Sequence, residues 1–138
     1  MATIEEKIEA ALLSRVASLS LTPARQIAYP NTPFTPAVGT AYIQVLHFPN
    51  RATRLFLKGS DPHFRQGILQ LTVVAPLHGG PQAATKIAGE IAEHFPADLA
   101  LYSEGLKVRI QQAPDVMPAD KTDVSWDVVV GVRYDASA

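Results

Sequence analysis

The chain has 138 residues, 47% of them hydrophobic and 18% charged, with a net charge of −1. A domain of that length buries about two-thirds of its unfolded surface, which excludes disorder and any need for covalent staples. The absence of cysteine excludes disulfides, thiolate catalysis and cysteine-ligated metal, and the balanced charge excludes a global basic field for nucleic acid or an anionic membrane.

One domain over 1–138 is expected. Its charge lies below the usual quarter, leaving less charge than usual to cover a monomer's surface. The first residues carry Glu5, Glu6 and Glu9, the opposite of a signal peptide. Residues 26–50 are uncharged, but Pro30, Pro33, Pro36 and Pro49 forbid a membrane-spanning helix there.

The spacing predicts a helix over 4–18, with Thr3 and Glu6 in a capping box and Ile4, Ile8, Leu12, Val16 and Leu19 in one apolar stripe. Residues 20–40 read as an extended arm, punctuated by prolines, with a short strand at 26–29. Strands follow at 41–48, 53–58 and 67–75, the second and third separated by the turn residues Gly59, Ser60, Asp61 and Pro62. In the third, Leu69, Leu71 and Val73 alternate with a mixed face. A second helix over 81–95 starts at Pro81 and stops before Pro96, with an apolar face of Ala84, Ile87, Ala88, Ile91 and Phe95. Strands at 106–111 and 124–134 flank an acidic loop at 113–123, and Val124, Trp126, Val128, Val130, Val132 and Tyr134 share one face of the last strand.

The order is therefore α-β-β-β-α-β-β. It reads as an α+β layer: a mostly antiparallel sheet of about five strands packed on two helices, with a proline-rich arm. The other side of the sheet, carrying Phe56, Val74 and Val129, would want a partner.

Catalytic constellations are weak. Ser60, Asp61 and His63 have the residue types of a hydrolase triad, but one short turn does not align a nucleophile, a base and its orienting acid. His47, His63, His78 and His94 show no paired metal-ligand spacing. His78-Gly79-Gly80-Pro81 opens a helix, but Lys86 is misplaced for a phosphate loop, and the reading is a capped turn. Asp115, Asp120 and Asp123 lack calcium-loop spacing and read as a solvated acidic loop. Trp126 reads as core. Arg51, Arg54 and Lys58, with Phe56 and Phe64, are a thin basis for nucleic-acid stacking. No catalytic residue, metal or cofactor is assigned, and the chain reads as a protein that assembles with others.

The segments Tyr29-Pro30-Asn31-Thr32-Pro33-Phe34-Thr35-Pro36, Gly67-Ile68-Leu69-Gln70-Leu71-Thr72-Val73-Val74, Glu93-His94-Phe95-Pro96 and Trp126-Asp127-Val128-Val129-Val130-Gly131-Val132-Arg133-Tyr134 follow one another across nearly the whole chain. In that order they resemble the tail terminator proteins of long-tailed bacteriophages, of the lambda type, including relatives carried in prophages. The resemblance implies a structural protein of the virion tail, present in the bacterial host's cytoplasm during assembly. It implies a ring, a hexamer in the family, that caps the tail tube, ends its polymerisation and presents a surface to the head–tail connector. The resemblance is compatible with a subunit that is monomeric when free. The implied partners are further copies of the chain, the tube protein and the connector, with DNA passing through the lumen without specific binding. No membrane is implied.

Candidate contact residues with a neighbour or the tube are Tyr29, Asn31, Phe34, Phe56, Asp61 and Phe64. Asp115, Asp120 and Asp123 are candidates for a lumenal loop that repels DNA phosphates. Two alternatives stand beside the ring: another head–tail completion or connector protein, and a small-molecule enzyme or binding domain using a cavity under the sheet.

Overall fold

Two long strands with strict alternation organise the molecule. In the computed structural model, which describes residues 3–19, 26–29, 40–49, 53–54, 63–77, 80–123 and 125–137, these are β4 (His63–Pro76) and β9 (Ser125–Ser137). They pair antiparallel from Phe64↔Ser137 to Pro76↔Ser125. Leu69, Leu71 and Val73 of β4 meet Val132, Val130 and Val128 of β9, and all six are fully buried. Each such side chain contributes about 1.5–3 kcal/mol by leaving water, so this double row is the centre of the core.

The remaining strands tile the outer edges of that pair. On one side lie β1 (Gln26–Ala28), β2 (Tyr42–Pro49) and β3 (Thr53–Arg54): β2 and β3 pair antiparallel with β4, and β1 pairs parallel with β2. On the other side β6 (Leu106–Ile110), β7 (Asp115–Val116) and β8 (Asp120–Lys121) lie one after another against β9. Gln111 N, Met117 N and Thr122 N donate to the carbonyls of Arg133, Val129 and Ser125, so the same edge is held between these short ladders. Last, β5 (Ala100–Ser103) pairs with β6. The main path is β1-β2-β4-β9-β6-β5.

Two helices cover one face. Helix α1 (Ile4–Ala17) starts in the expected capping box: Glu6 N donates to Thr3 Oγ1 and Thr3 N donates to Glu6 Oε2, each at 3.2 Å. It buries Ile8, Ala11, Leu12 and Val16 and lies over β5 and β6. Helix α2 (Gly80–His94) buries Ala84, Ile87, Ala88 and Ile91 over β4 and β9. The C-terminal ends of the two helices meet, where carbonyls gather partial negative charge. Arg15 answers it by donating from Nε and Nη2 to the His94 carbonyl at 3.0 and 2.8 Å. The His94 Nε2–H is shared between the Arg15 carbonyl at 3.0 Å and Ser18 Oγ at 2.9 Å.

The α+β reading therefore holds, with corrections. The sheet has nine strands among the described residues, not about five, and one pairing is parallel. The stretch 113–123 is not wholly loop, because β7 and β8 are carried by the free edge of β9 rather than by any pattern of their own. The third strand starts at His63, not residue 67, since its first residues ladder with β3 and the end of β9. The hairpin of β5 and β6 turns at Glu104 and Gly105, both with positive φ (47° and 84°), as a two-residue primed turn requires. The proposed arm at 20–40 falls outside the described residues except for 26–29 and Thr40.

Candidate assembly surface

Register fixes what the face opposite the helices presents. Directly opposed residues share a face, so Phe48, Ile68 and Arg133 form one row across β2, β4 and β9. Tyr42, Val74, Asp127 and Asp120 form another, extended onto β8. Phe48 is 50% exposed, while Ile68, Val74 and Val129 are half-buried. The expectation that Val74 and Val129 lie away from the helices is met. Phe48 was missed, although the alternation of Ala41, Ile43 and Val45 as inward residues already points it outward.

Acidic residues collect on one side of this face. Asp115 of β7 opposes Gly131 and sits 3.6 Å from Arg133 Nε. Asp120 of β8 opposes Asp127, two like charges directly across a ladder, an arrangement that costs stability. Asp127 is eased by Ser125 Oγ, which donates to it at 2.7 Å. Asp123 is exposed in the turn that joins β8 to β9. Next to the acids Met117 is 48% exposed, whereas Val116, 40% exposed, opposes the inward Val130 and so lies on the helix side of the sheet. Trp126 packs against the edge of the core rather than within it, with Lys121 Nζ 6.0 Å from its ring centroid.

Of the other candidate contact residues, Tyr29 follows β1 and is half-buried against the core, and Phe64 lies in β4 opposite Thr53 and Ser137. Asn31, Phe34, Phe56 and Asp61 lie outside the described residues, as do Ser60 and His78.

On the helix side, a half-open cavity of about 340 Å³ lies between the first turns of α1 and the ends of β2, β4 and β9. Its polar wall is Glu5, Glu9, His47, Arg65, Gln66 and Tyr134. Ile8 and Pro49 supply apolar wall. The Tyr134 hydroxyl hydrogen-bonds His47 Nε2. Burial pushes the Tyr134 phenol up to about 12, with the Glu9 charge adding to it, and burial holds the His47 imidazole below its ordinary value against the pull of Glu9. Both shifts favour neutral partners, a phenol O–H donating to an imidazole lone pair. Arg65 Nη1 donates to Glu5 Oε1 at 2.8 Å. Among the described residues the wall contains no serine, threonine or cysteine nucleophile, and no group of three possible metal ligands occurs. No helix there is long and apolar enough to cross a membrane.

A family model described as phage tail terminator protein matches residues 7–134. A solved protein structure is similar at 27% identity and a TM-score of 0.80, covering 98% of this chain and 96% of the other. None of the curated proteins is matched. The family match runs from within α1 to within β9, leaving out only the first turn of the one and the last three residues of the other. With it the layered fold and the face opposite the helices gain a common meaning: the chain belongs to the phage tail terminator protein family, whose members are structural proteins of the virion tail.

Proposed function

We propose that the protein caps the growing tail tube as a ring of identical subunits, ends tube polymerisation and presents the opposite face of the ring to the head–tail connector. The observation that carries this reading, beside family membership, is the sheet face on which no helix lies among the described residues, with Phe48 half-exposed beside Ile68. A ring is a heterologous assembly, so each subunit needs two unlike patches that fit one another. The apolar side chains of this face, Phe48, Ile68, Val74 and Val129, supply one patch. In this reading the proline-rich segment at 20–40 lies across the neighbour, its fixed φ angles lowering the entropy lost on docking.

The acidic edge faces the lumen. Asp115 and Asp120 of the ladder strands and Asp123 of the turn repel phosphates, so DNA slides past without being held. The solution species is a monomer or weak oligomer that closes into a hexamer on the tube end.

The test is to polymerise tube protein with and without this chain and to measure tube lengths by electron microscopy. Added protein should shorten the tubes and leave a ring on one end. Unchanged lengths with a ring bound to connector protein alone would favour a head–tail completion role instead.

A further inference from the structure

The cavity beneath α1 is not used by the capping reading, and among the described residues its charges, Glu5, Glu9 and Arg65, do not cancel. Arg65 is matched by Glu5 at 2.8 Å. Glu9 has no hydrogen bond or ion pair among the described residues, although it is half-buried and its charge is felt at both His47 and Tyr134. The neutral imidazole and phenol offset none of that charge. The space is at the small end of ligand pockets, too small for a drug-sized molecule with its surroundings but ample for one extended side chain. Ile8 and Pro49 offer a surface for an aliphatic stem, and Glu9 a counter-charge for its tip.

We propose that this cavity is a socket for one basic side chain, lysine or arginine, presented by a protein that docks on the α1 side of the sheet. The occupant's charge follows from Glu9 and its shape from the apolar wall. That the docking protein belongs to the tail rests on the function proposed above. An acidic or neutral side chain would leave Glu9 unpaired in a partly desolvated site, which costs more than it returns.

The experiment is a nuclear magnetic resonance titration of the labelled full chain with terminally blocked lysine, arginine, norleucine and glutamate amides. The lysine and arginine probes should shift the amides around Glu9, His47 and Arg65 with affinity on the order of millimolar. Norleucine and glutamate should not. Glu9→Gln should weaken the basic probes about tenfold, whereas Glu93→Gln, exposed on α2, should leave them unchanged. Equal binding of norleucine and lysine, or an unchanged response in Glu9→Gln, overturns the proposal. So does butylammonium binding far more tightly than blocked lysine, which would mark a site for free amines. Tube capping is read separately: probe binding without capping would sink the terminator function and leave the socket standing.

Discussion

Tyr134 stands directly over Gly67, its partner in the β4–β9 ladder. A Cβ at Gly67 would come 2.5 Å from Tyr134 Oη and 2.8 Å from the Phe48 carbonyl. The glycine is there because the phenol needs its space in order to reach His47. Gly67→Ala should therefore destabilise the chain by about 1–3 kcal/mol through overpacking. Urea unfolding measures it, and a change within error would mean that the ring shifts freely.

Tyr134→Phe keeps the ring and removes the hydroxyl. Loss of the bond to His47 should cost about 1 kcal/mol. The imidazole should also titrate differently, because its hydroxyl partner is gone. A proton-detected titration of His47 in both proteins checks this, and identical curves would argue against the bond.

Arg15→Ala removes two charge-assisted bonds to the end of α2. The expected loss is about 1.5–3 kcal/mol, with Arg15→Lys recovering only part of it, because an ammonium cannot reproduce the guanidinium fork. Denaturant midpoints of the three proteins decide the matter.

Acid should weaken the fold in a defined order. Burial holds His47 and His94 below the ordinary imidazole value of 6.5. Above 6.5 neither folded nor unfolded chain binds these protons. As pH falls from 6.5 towards the lowered folded values the unfolded chain binds them first, so stability declines. The groups facing His47 are Glu5 and Glu9 from α1, Arg65 from β4 and Tyr134 from β9. Glu5 lies below its usual 4.5, chiefly through a backbone hydrogen bond, so its contribution is present above 4.5 and fades as pH falls through the folded value. A pH series of urea melts should show the first decline shrink in His47→Gln and His94→Gln; stability that rises on acidification from 6.5 would contradict this.

Phe48→Asp tests assembly without touching the core, since the side chain is half-exposed. Its urea midpoint should stay near the wild-type value while capping of tube ends is lost. Neutralising Asp115, Asp120 and Asp123 together should instead spare the ring and alter DNA passage. Loss of the ring in that triple variant would refute the lumenal assignment.

How legible all this was in the sequence depended on the distance over which each feature is held. The capping box of Thr3 and Glu6 is local, and so are the apolar stripe of α1 and the alternation from Leu69 to Val73, and each could be read directly. β5 was missed because four residues give too little periodicity, although the turn at Glu104 and Gly105 left a faint signal. β7 and β8 have no pattern to read, since β9 imposes them. The cavity joins Glu5, His47, Arg65 and Tyr134, which only tertiary structure brings together. Tyr134 was legible as an inward residue, but the destination of its hydroxyl was not.

The tiling of β4 and β9 on both flanks also sets the order in which the molecule opens. Amide protons in the middle of these strands, from 69 to 73 and from 128 to 132, should therefore exchange with solvent only when the whole chain unfolds, which native-state hydrogen exchange would read. The two-residue ladders of β7 and β8 can release one at a time while the rest stays closed. A subunit built this way keeps a rigid spine and an adjustable rim, so it can settle against unlike neighbours without loosening its centre.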